Sequence, residues 1–335
     1  MGRRLALIRR FIAAHHRVVV AAELLALAVF LGFLAFAIRG SFHDAGNDLR
    51  NADPAYFALA CIAVAAYYLV FVLGWKWILA DWGIEISYPV ALRAEMVSML
   101  AKYVPGGVWT PAARVVAARR AGINDAALVT LSILVEAGIS AVAGVIVFVV
   151  SLVWVRGVDA PIAPIILFGV VITALLHPRI FCPLASWALR KLGHGRLPPM
   201  RAKTMARLLV FYCGTWLIGG VGLWLLLRSV GARPTLSTIV FLGGVSAVGA
   251  IVAVLVVFAP SGLGVREGSM YGLLLAIASS GAALGAVVLN RVVITLVEIA
   301  LFVIGGLILR RSDDQARFTA VRQPATSPDT SSTGS

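Results

Sequence analysis

Charged residues are scarce in this sequence, and their scarcity excludes a soluble globular fold. Only 13% of the 335 residues are Asp, Glu, Lys or Arg, whereas 61% are hydrophobic and the mean hydropathy is +0.96. A chain with so few polar residues cannot cover a surface that faces water, so its solvent must be lipid. Cysteine and histidine are rare too, and the three cysteines and five histidines show no metal-ligand spacing. We therefore predict neither a metal site nor a cofactor.

Long apolar runs predict an all-α polytopic membrane protein. A helix needs about 20 apolar residues to cross about 30 Å of hydrocarbon. Two remaining segments, 88–122 and 236–280, each contain two helical stretches separated by proline and glycine, and we predict that each is a hairpin of short helices. With these hairpins the sequence has about eight hydrophobic segments. The predicted full crossings are residues 18–38, 55–80, 126–155, 161–187, 204–228 and 282–309.

The positive charges lie in predicted loops, and their distribution indicates the membrane topology. The net charge is +14, but the basic residues form no patch interleaved with stacking aromatics, so we predict no nucleic-acid partner. They cluster in residues 1–17 and 177–207, which the positive-inside rule places in the cytoplasm. Arg228 and Arg233 are exceptions, because this topology places their loop outside. The sequence therefore predicts a multi-pass protein with both termini in the cytoplasm.

The order of segments repeats along the chain. Each half has two spans, a broken hairpin and a third span with an internal glutamate, which is Glu136 in the first half and Glu298 in the second. Because each half crosses an odd number of times, we predict an inverted repeat of two three-span units, an arrangement common in transporters. The alternative is a coincidence among glycine-rich membrane helices. The predicted organisation is a basic N-terminus, two membrane repeats and a disordered polar tail, at residues 1–17, 18–157, 158–310 and 311–335.

The two breaks contain residues that point to a binding site. Proline removes a backbone N–H, and glycine permits a sharp turn and the close approach of a ligand. The helix that restarts after each break presents free N–H groups and the positive end of its dipole to an anion. The alternative is a plain proline kink between packed helices. The predicted substrate-binding residues in the breaks are Pro105, Gly106, Gly107, Pro260, Gly262 and Gly264.

Ionisable residues accompany both breaks and also occur inside the apolar spans. A charge within a membrane is costly unless it is paired, so such residues are candidates for function. We predict that Arg114 and Arg266 hold a phosphate, because guanidinium matches phosphate oxygens in bidentate geometry. The alternative is a structural ion pair, such as Arg266 with Glu267 or Glu298. Glu136 and Glu298 are proton carriers, headgroup ligands or partners of these arginines. The predicted charged site residues are Lys102, Arg114, Glu136, Arg266, Glu267, Arg291 and Glu298.

Two phrases of the sequence resemble a known family. KYVPGG at residues 102–107 is followed by Arg114 and Gly122, and PSGLGVREG occupies residues 260–268. Both phrases are similar to the membrane domain of lysylphosphatidylglycerol synthases and their stand-alone relatives, the flippase-like integral membrane proteins, over about residues 15–310. The resemblance implies a bacterial inner-membrane protein that moves a modified phospholipid or a polyprenyl-linked glycolipid between leaflets. We expect no synthase activity, because the chain has no room for the soluble aminoacyl-transferase domain of the full synthases.

The two hairpins differ in charge. Residues 88–103 include Arg93, Glu95 and Lys102, whereas residues 236–258 carry no charge and are long enough to cross the membrane. The second hairpin is therefore either re-entrant or a pair of true spans. Both arrangements leave the parity of the crossings unchanged.

The predicted function is that of a flippase-like lipid transporter rather than an enzyme. The sequence has no Gly-rich nucleotide loop, no Ser/His/Asp arrangement and no paired acidic metal motif. The expected partners are an anionic phospholipid or a polyprenyl-phosphate-linked lipid, together with a cell-envelope glycosyltransferase or lipid-modifying enzyme. Two alternatives are a non-catalytic membrane scaffold for a cell-envelope enzyme, and a glycosyl or acyl transferase that uses Glu267 or Glu136 as a base.

Overall fold

The computed structural model describes residues 51–101, 109–120, 122–123, 125–155, 162–176, 200–256, 262 and 264–321, with a few positions between 179 and 187. Within these residues the regular structure is helical and no strand occurs. The predicted basic segment 1–17 and the predicted crossing 18–38 lie outside the described residues. The helices are α1 (Pro54–Asp81), α2 (Tyr88–Ala101), α3 (Trp109–Arg120), α4 (Ala126–Ser151), α5 (Ile162–Leu176), α6 (Ala202–Ser229), α7 (Thr238–Leu255), α8 (Val265–Leu274) and α9 (Ser280–Val321).

Among the described residues, five helices are long and apolar enough to cross a membrane. They are α1, α4, α6, α7 and the part of α9 from Ser280 to Ile304. Four of them match predicted crossings, and the fifth, α7, is the first arm of the second predicted hairpin. Helix α5 has 15 residues and is shorter than the predicted crossing 161–187. Helix α9 continues past residue 311 to Val321, within the segment for which the sequence predicts a disordered tail.

Helices α1 and α6 are antiparallel neighbours of equal length, each with 28 residues. At one end of the pair, the N–H of Asp53 donates to the carbonyl oxygen of Ser229 at 2.8 Å. At the other end, the carboxylate of Asp81 accepts hydrogen bonds from the N–H of Arg201 at 3.0 Å and the hydroxyl of Thr204 at 2.6 Å. The start of each helix is therefore fixed to the end of the other.

The two helices also end in the same way. Gly83 after α1 and Gly231 after α6 have φ values of 78° and 81°, a left-handed conformation that favours glycine. Each glycine N–H bonds back into the last turn, and the next residue, Ile84 or Ala232, donates to the carbonyl of Leu79 or Leu227 at 2.9 and 3.0 Å. This is a Schellman-type C-cap, which satisfies carbonyl groups that a helix end leaves free. The sequence thus stops both helices with equivalent local chemistry.

Helix α7 lies at the centre of the bundle and is brought close to its neighbours by glycines. A Cβ atom on Gly243 would lie 2.7 Å from the carbonyl oxygen of Trp216 in α6, and one on Gly244 would lie 2.6 Å from the Cα of Phe148 in α4. Only a residue without a side chain allows such contacts, which is the usual way that membrane helices pack closely. Phe148, Phe241 and Leu242 are fully buried beside this contact.

Both broken segments contain the two helices that their sequences predict. Helices α2 and α3 pack against each other, as do α7 and α8. In the second hairpin, Gly262 has a φ of 62°, and a Cβ there would lie 2.1 Å from the Cβ of Ala253. The position therefore requires glycine for its backbone conformation and for the close approach to α7.

Candidate functional site

The first hairpin and the helix after it enclose a buried ionic cluster. Arg114 of α3 forms salt bridges through Nη2 with Oε2 of Glu95 in α2 and through Nη1 with Oε2 of Glu136 in α4. The exposed fraction of Arg114 is 4%, that of Glu95 is 4% and that of Glu136 is 3%. Because ions buried in lipid are tolerated only when they are paired, this cluster explains how three charges occupy the interior of the bundle.

Neutral groups complete the surroundings of the Glu95–Arg114–Glu136 cluster. The hydroxyl of Tyr212 in α6 donates to Oε1 of Glu136 at 3.1 Å. The Nε of Arg114 donates to the hydroxyl of Ser98 at 3.4 Å, and the guanidinium carbon lies 5.2 Å from the ring centre of Trp75 in α1. The guanidinium is thus bound by two carboxylates and one hydroxyl and lies within cation–π range of an indole. For Arg114, this geometry favours the alternative of a structural ion pair over the predicted binding of a phosphate.

The second hairpin has a looser and more exposed ion pair. Glu267, three residues into α8, accepts a hydrogen bond from the N–H of Gly264 at 2.6 Å. Its other oxygen lies 3.4 Å from Nη1 of Arg291 in α9. These two side chains keep 19% and 20% of their surface exposed. Glu267 therefore accepts a hydrogen bond from one N–H group at the start of α8, where the sequence predicts an anion-binding site. Its salt-bridge partner is Arg291 rather than Arg266.

Two tyrosine–glutamate hydrogen bonds cross between the halves of the chain. Tyr68 in α1 donates to Oε1 of Glu298 in α9, and Tyr212 in α6 donates to Glu136 in α4. Each tyrosine belongs to the half opposite its glutamate, and the exposed fraction of Glu298 is only 1%. Glu136 and Glu298, which the sequence singles out, therefore each accept a hydrogen bond from a tyrosine of the opposite half.

Arg266 differs from the other arginines of the site. Within the part of the chain that the structure describes, its guanidinium forms no hydrogen bond or salt bridge, and its Nε atom is buried without a partner. Its stem packs on α7, because a Cβ on Gly249 would lie 3.3 Å from the Cγ of Arg266. The charge is within electrostatic range of Tyr67 and Tyr68 in α1. Arg266 is thus a half-buried cation that the described residues do not neutralise.

Tyr67 is near charged residues of both hairpins. Its hydroxyl is within electrostatic range of Arg266, Glu95 and Glu136. The ring is half-buried and lies 5.4 Å from the ring of Tyr68 and 5.9 Å from that of Trp216, measured between centroids. Charged residues from both hairpins therefore influence the same position of α1.

The structure brings together most of the predicted charged residues, and it adds others. Glu95, Tyr67, Tyr68 and Tyr212 were missed as site residues. For Glu95 the signal was a carboxylate in an otherwise apolar helix, whereas a tyrosine in an apolar span resembles ordinary packing. The predicted residues Lys102, Pro105, Gly106, Gly107 and Pro260 lie outside the described residues.

Comparison with known proteins supports the resemblance seen in the break motifs. The family model for the lysylphosphatidylglycerol synthase TM region matches residues 23–301. No match to the chain is found among curated proteins. The matched region includes both hairpins and every charged residue of the site described above. The chain therefore belongs to the family of lysylphosphatidylglycerol synthase transmembrane regions.

Proposed function

We propose that this protein moves a phosphate-bearing lipid between membrane leaflets and catalyses no covalent reaction. The observation that carries the proposal is Arg266, a cation without a described ionic partner beside a break between apolar helices. A guanidinium in such a place favours an anion, and phosphate fits its paired N–H groups. The substrate class is an anionic phospholipid or a polyprenyl-phosphate-linked glycolipid.

An inverted repeat supports transport, and the packing of the helices is consistent with one. If α1 corresponds to α6, then α2 and α3 correspond to α7 and α8, and α4 corresponds to α9. Under this correspondence, the contact of α2 with α9 is equivalent to the contact of α7 with α4, and the structure contains both. Likewise, the contact of α1 with α9 is equivalent to the contact of α6 with α4, and the structure contains both of these too. The proposed equivalents α1 and α6 are antiparallel, as a two-fold axis in the membrane plane requires.

The distribution of charge supports cytoplasmic termini in this arrangement. Helices α4 and α6 run in parallel, because Tyr212 contacts Glu136 and, one turn later in both helices, Trp216 Nε1 donates to the carbonyl of Ser140. The exposed Arg119 and Arg120 before α4 therefore lie on the same face as the exposed Arg201 and Lys203 near the start of α6. The positive-inside rule makes this face cytoplasmic. We infer a bacterial inner-membrane protein whose first hairpin enters from the cytoplasm and whose second enters from outside.

An apolar groove offers room for lipid tails. It has a volume of about 860 Å³ and is lined mainly by residues of α4 and α5, including Val145, Val149 and Val170. Of the described residues that line it, Thr173 alone is polar. We propose that tails remain in lipid or in this groove while the headgroup passes through the bundle. The membrane potential supplies about 2.3 kcal/mol per unit charge per 100 mV, which can bias the distribution of an anionic lipid.

The test is lipid translocation by the full chain in liposomes. Fluorescent headgroup-labelled phosphatidylglycerol is placed in both leaflets, and a membrane-impermeant reductant bleaches the label that reaches the outside. We expect the wild type to expose inner-leaflet label, and Arg266→Ala to abolish that exposure while remaining folded. Arg120→Ala is the matched control, because Arg120 is an exposed arginine at the end of α3. Translocation by Arg266→Ala at the wild-type rate would refute the assignment, and no translocation by the wild type would favour the scaffold alternative.

A further inference from the structure

Ser246 of α7 is a buried serine whose hydroxyl is not bonded to its own helix. Several other buried serines donate to a carbonyl oxygen three residues earlier, namely Ser98, Ser132, Ser151 and Ser229. A bond of this kind satisfies the hydroxyl locally. The exposed fraction of Ser246 is 7%, and its hydroxyl forms no hydrogen bond with the described residues. Ser246 thus keeps one donor and its acceptor capacity for another group.

Tyr67 of α1 lies close to Ser246. A Cβ atom on Gly219 in α6 would lie 3.9 Å from the Cβ of Ser246 and 4.0 Å from the Cδ2 of Tyr67, so both side chains border the same glycine. The ring of Tyr67 packs against those of Phe71 and Trp216, but its hydroxyl has no hydrogen-bond partner within the described part of the chain. Because polar groups in protein interiors are normally hydrogen-bonded, these two hydroxyls call for an explanation.

Arg266 approaches the same part of α7 from the second hairpin. A Cβ on Gly249 would lie 3.3 Å from the Cγ of Arg266, and Gly249 follows Ser246 by three residues, on the same face of α7. The charge of Arg266 is within electrostatic range of Tyr67, and its Nε is buried without a described hydrogen-bond partner. A cation and two hydroxyls that the described residues do not satisfy are therefore gathered around residues 246–249 of α7.

The three groups match a phosphate ester that carries hydroxyl groups on its headgroup. A guanidinium only donates hydrogen bonds and has a fixed positive charge, which suits phosphate oxygens. The hydroxyl of a serine or tyrosine both donates and accepts, which suits another hydroxyl. A site that binds a substrate hydroxyl discriminates against the analogue that lacks it, because the polar groups of the site then stay unpaired. Arg266 alone would bind a phosphodiester without regard to its headgroup alcohol.

We propose that Tyr67 and Ser246 bind hydroxyl groups of the lipid headgroup whose phosphate is bound by Arg266. The transported lipid is then a phosphodiester of a polyol, with glycerol or a sugar as the headgroup. This inference rests on the lipid transport proposed above and adds to it the residues that select the headgroup.

Translocation of lipids labelled on one acyl chain, in liposomes with the full chain, tests this selection. Phosphatidylethanol is the probe, because it keeps the phosphate charge and the tails of phosphatidylglycerol but lacks the headgroup hydroxyls. We expect the wild type to translocate phosphatidylglycerol about 10- to 30-fold faster than phosphatidylethanol, as the loss of two hydrogen bonds implies. Tyr67→Phe and Ser246→Ala should each reduce this ratio about 2- to 10-fold, because only the lipid with hydroxyls loses a hydrogen bond. The same ratio for phosphatidylinositol separates the two headgroups, since a larger value indicates a sugar-like ring rather than glycerol.

Tyr88→Phe and Ser151→Ala are the matched controls and should keep the wild-type ratio. The hydroxyl of Tyr88 already donates to the carbonyl of Leu69 at 2.8 Å, and that of Ser151 donates to the carbonyl of Phe148 at 2.6 Å. Equal rates for all three lipids in the wild type would overturn the selection and leave lipid transport standing, and this result does not depend on whether a variant folds. Variants of Tyr67 and Ser246 that slow every lipid by the same factor would also overturn it. If no lipid moves, the transport function fails; a higher unfolding temperature of the wild type in detergent with phosphatidylglycerol or phosphatidylinositol than with phosphatidylethanol would still support the headgroup site, and equal temperatures would refute it.

Discussion

Replacing Arg114 with methionine removes the guanidinium that forms salt bridges with two buried carboxyl groups, those of Glu95 and Glu136. Methionine keeps an apolar side chain of similar length, so the main loss is the guanidinium charge. A buried carboxylate that loses its guanidinium partner must take up a proton to avoid an unpaired charge in the interior. Against a reference pKa of about 4.3, protonating a glutamate at pH 7 costs about 2.7 × 1.36, or about 3.7 kcal/mol. This agrees with the roughly 3–5 kcal/mol that is lost when one partner of a buried ion pair is removed.

The same reasoning predicts how the loss depends on pH. At pH 5 the protonation cost falls to about 0.7 × 1.36, or about 1 kcal/mol. The folded variant binds more protons than its unfolded state, so its free energy of unfolding decreases as the pH rises. The loss relative to the wild type should therefore be about 3–4 kcal/mol at pH 7 and about 1 kcal/mol at pH 5, with the same pH-independent term added at both values.

The assay is reversible unfolding in bicelles at both pH values. Arg119→Met is the matched control, because Arg119 is exposed at the end of α3, and its change should stay within about 0.5 kcal/mol. A loss for Arg114→Met below about 1 kcal/mol at pH 7, or an equal loss at both pH values, would show that the cluster is not a buried ion pair.

Two further predictions concern packing and hydrogen bonding. Gly262→Ala should lower the free energy of unfolding by about 2–5 kcal/mol, because it combines a left-handed φ of 62° with a clash against Ala253. Gly272→Ala in α8, where nothing lies within 4 Å of an added Cβ, should leave that free energy unchanged or raise it by up to about 1 kcal/mol, and the reverse order of the two variants would refute the packing at Gly262. Tyr212→Phe should cost about 1–3 kcal/mol, because it removes the hydroxyl that donates to buried Glu136. An unfolding curve for Tyr212→Phe that coincides with the wild-type curve would contradict that hydrogen bond.

The helices could be predicted from the sequence because their lengths and ends are local properties. The apolar run at 55–80 and Gly83 together determine α1, and the run at 204–228 with Gly231 determines α6. Segment 236–280 remained ambiguous, because length alone does not distinguish a spanning helix from one arm of a hairpin. Helix α7 has 18 residues against 14 for α2, so the two hairpins differ in the length of their first arms.

The partners of the charged residues could not be predicted in the same way. Arg114 and Glu136 belong to neighbouring segments, and their proximity follows from the hairpin. Tyr68 and Glu298 are 230 residues apart, and their contact depends on how the halves pack. Hydropathy contains no signal for that choice, because a tyrosine contributes similarly to an apolar span whether it donates to a carboxylate or packs against another ring. Arg114 is neutralised because the first hairpin and α4 place two carboxyl groups beside it.

The central claim is that Arg266 recognises the phosphate of a lipid that crosses the membrane. The most direct test compares two labelled lipids with identical tails in liposomes containing the full chain, namely phosphatidylglycerol and a neutral glycolipid without phosphate. We predict that the wild type accelerates translocation of the phospholipid only and that Arg266→Ala accelerates neither lipid. Equal acceleration of both lipids by the wild type, or of the phospholipid by Arg266→Ala, would contradict the claim.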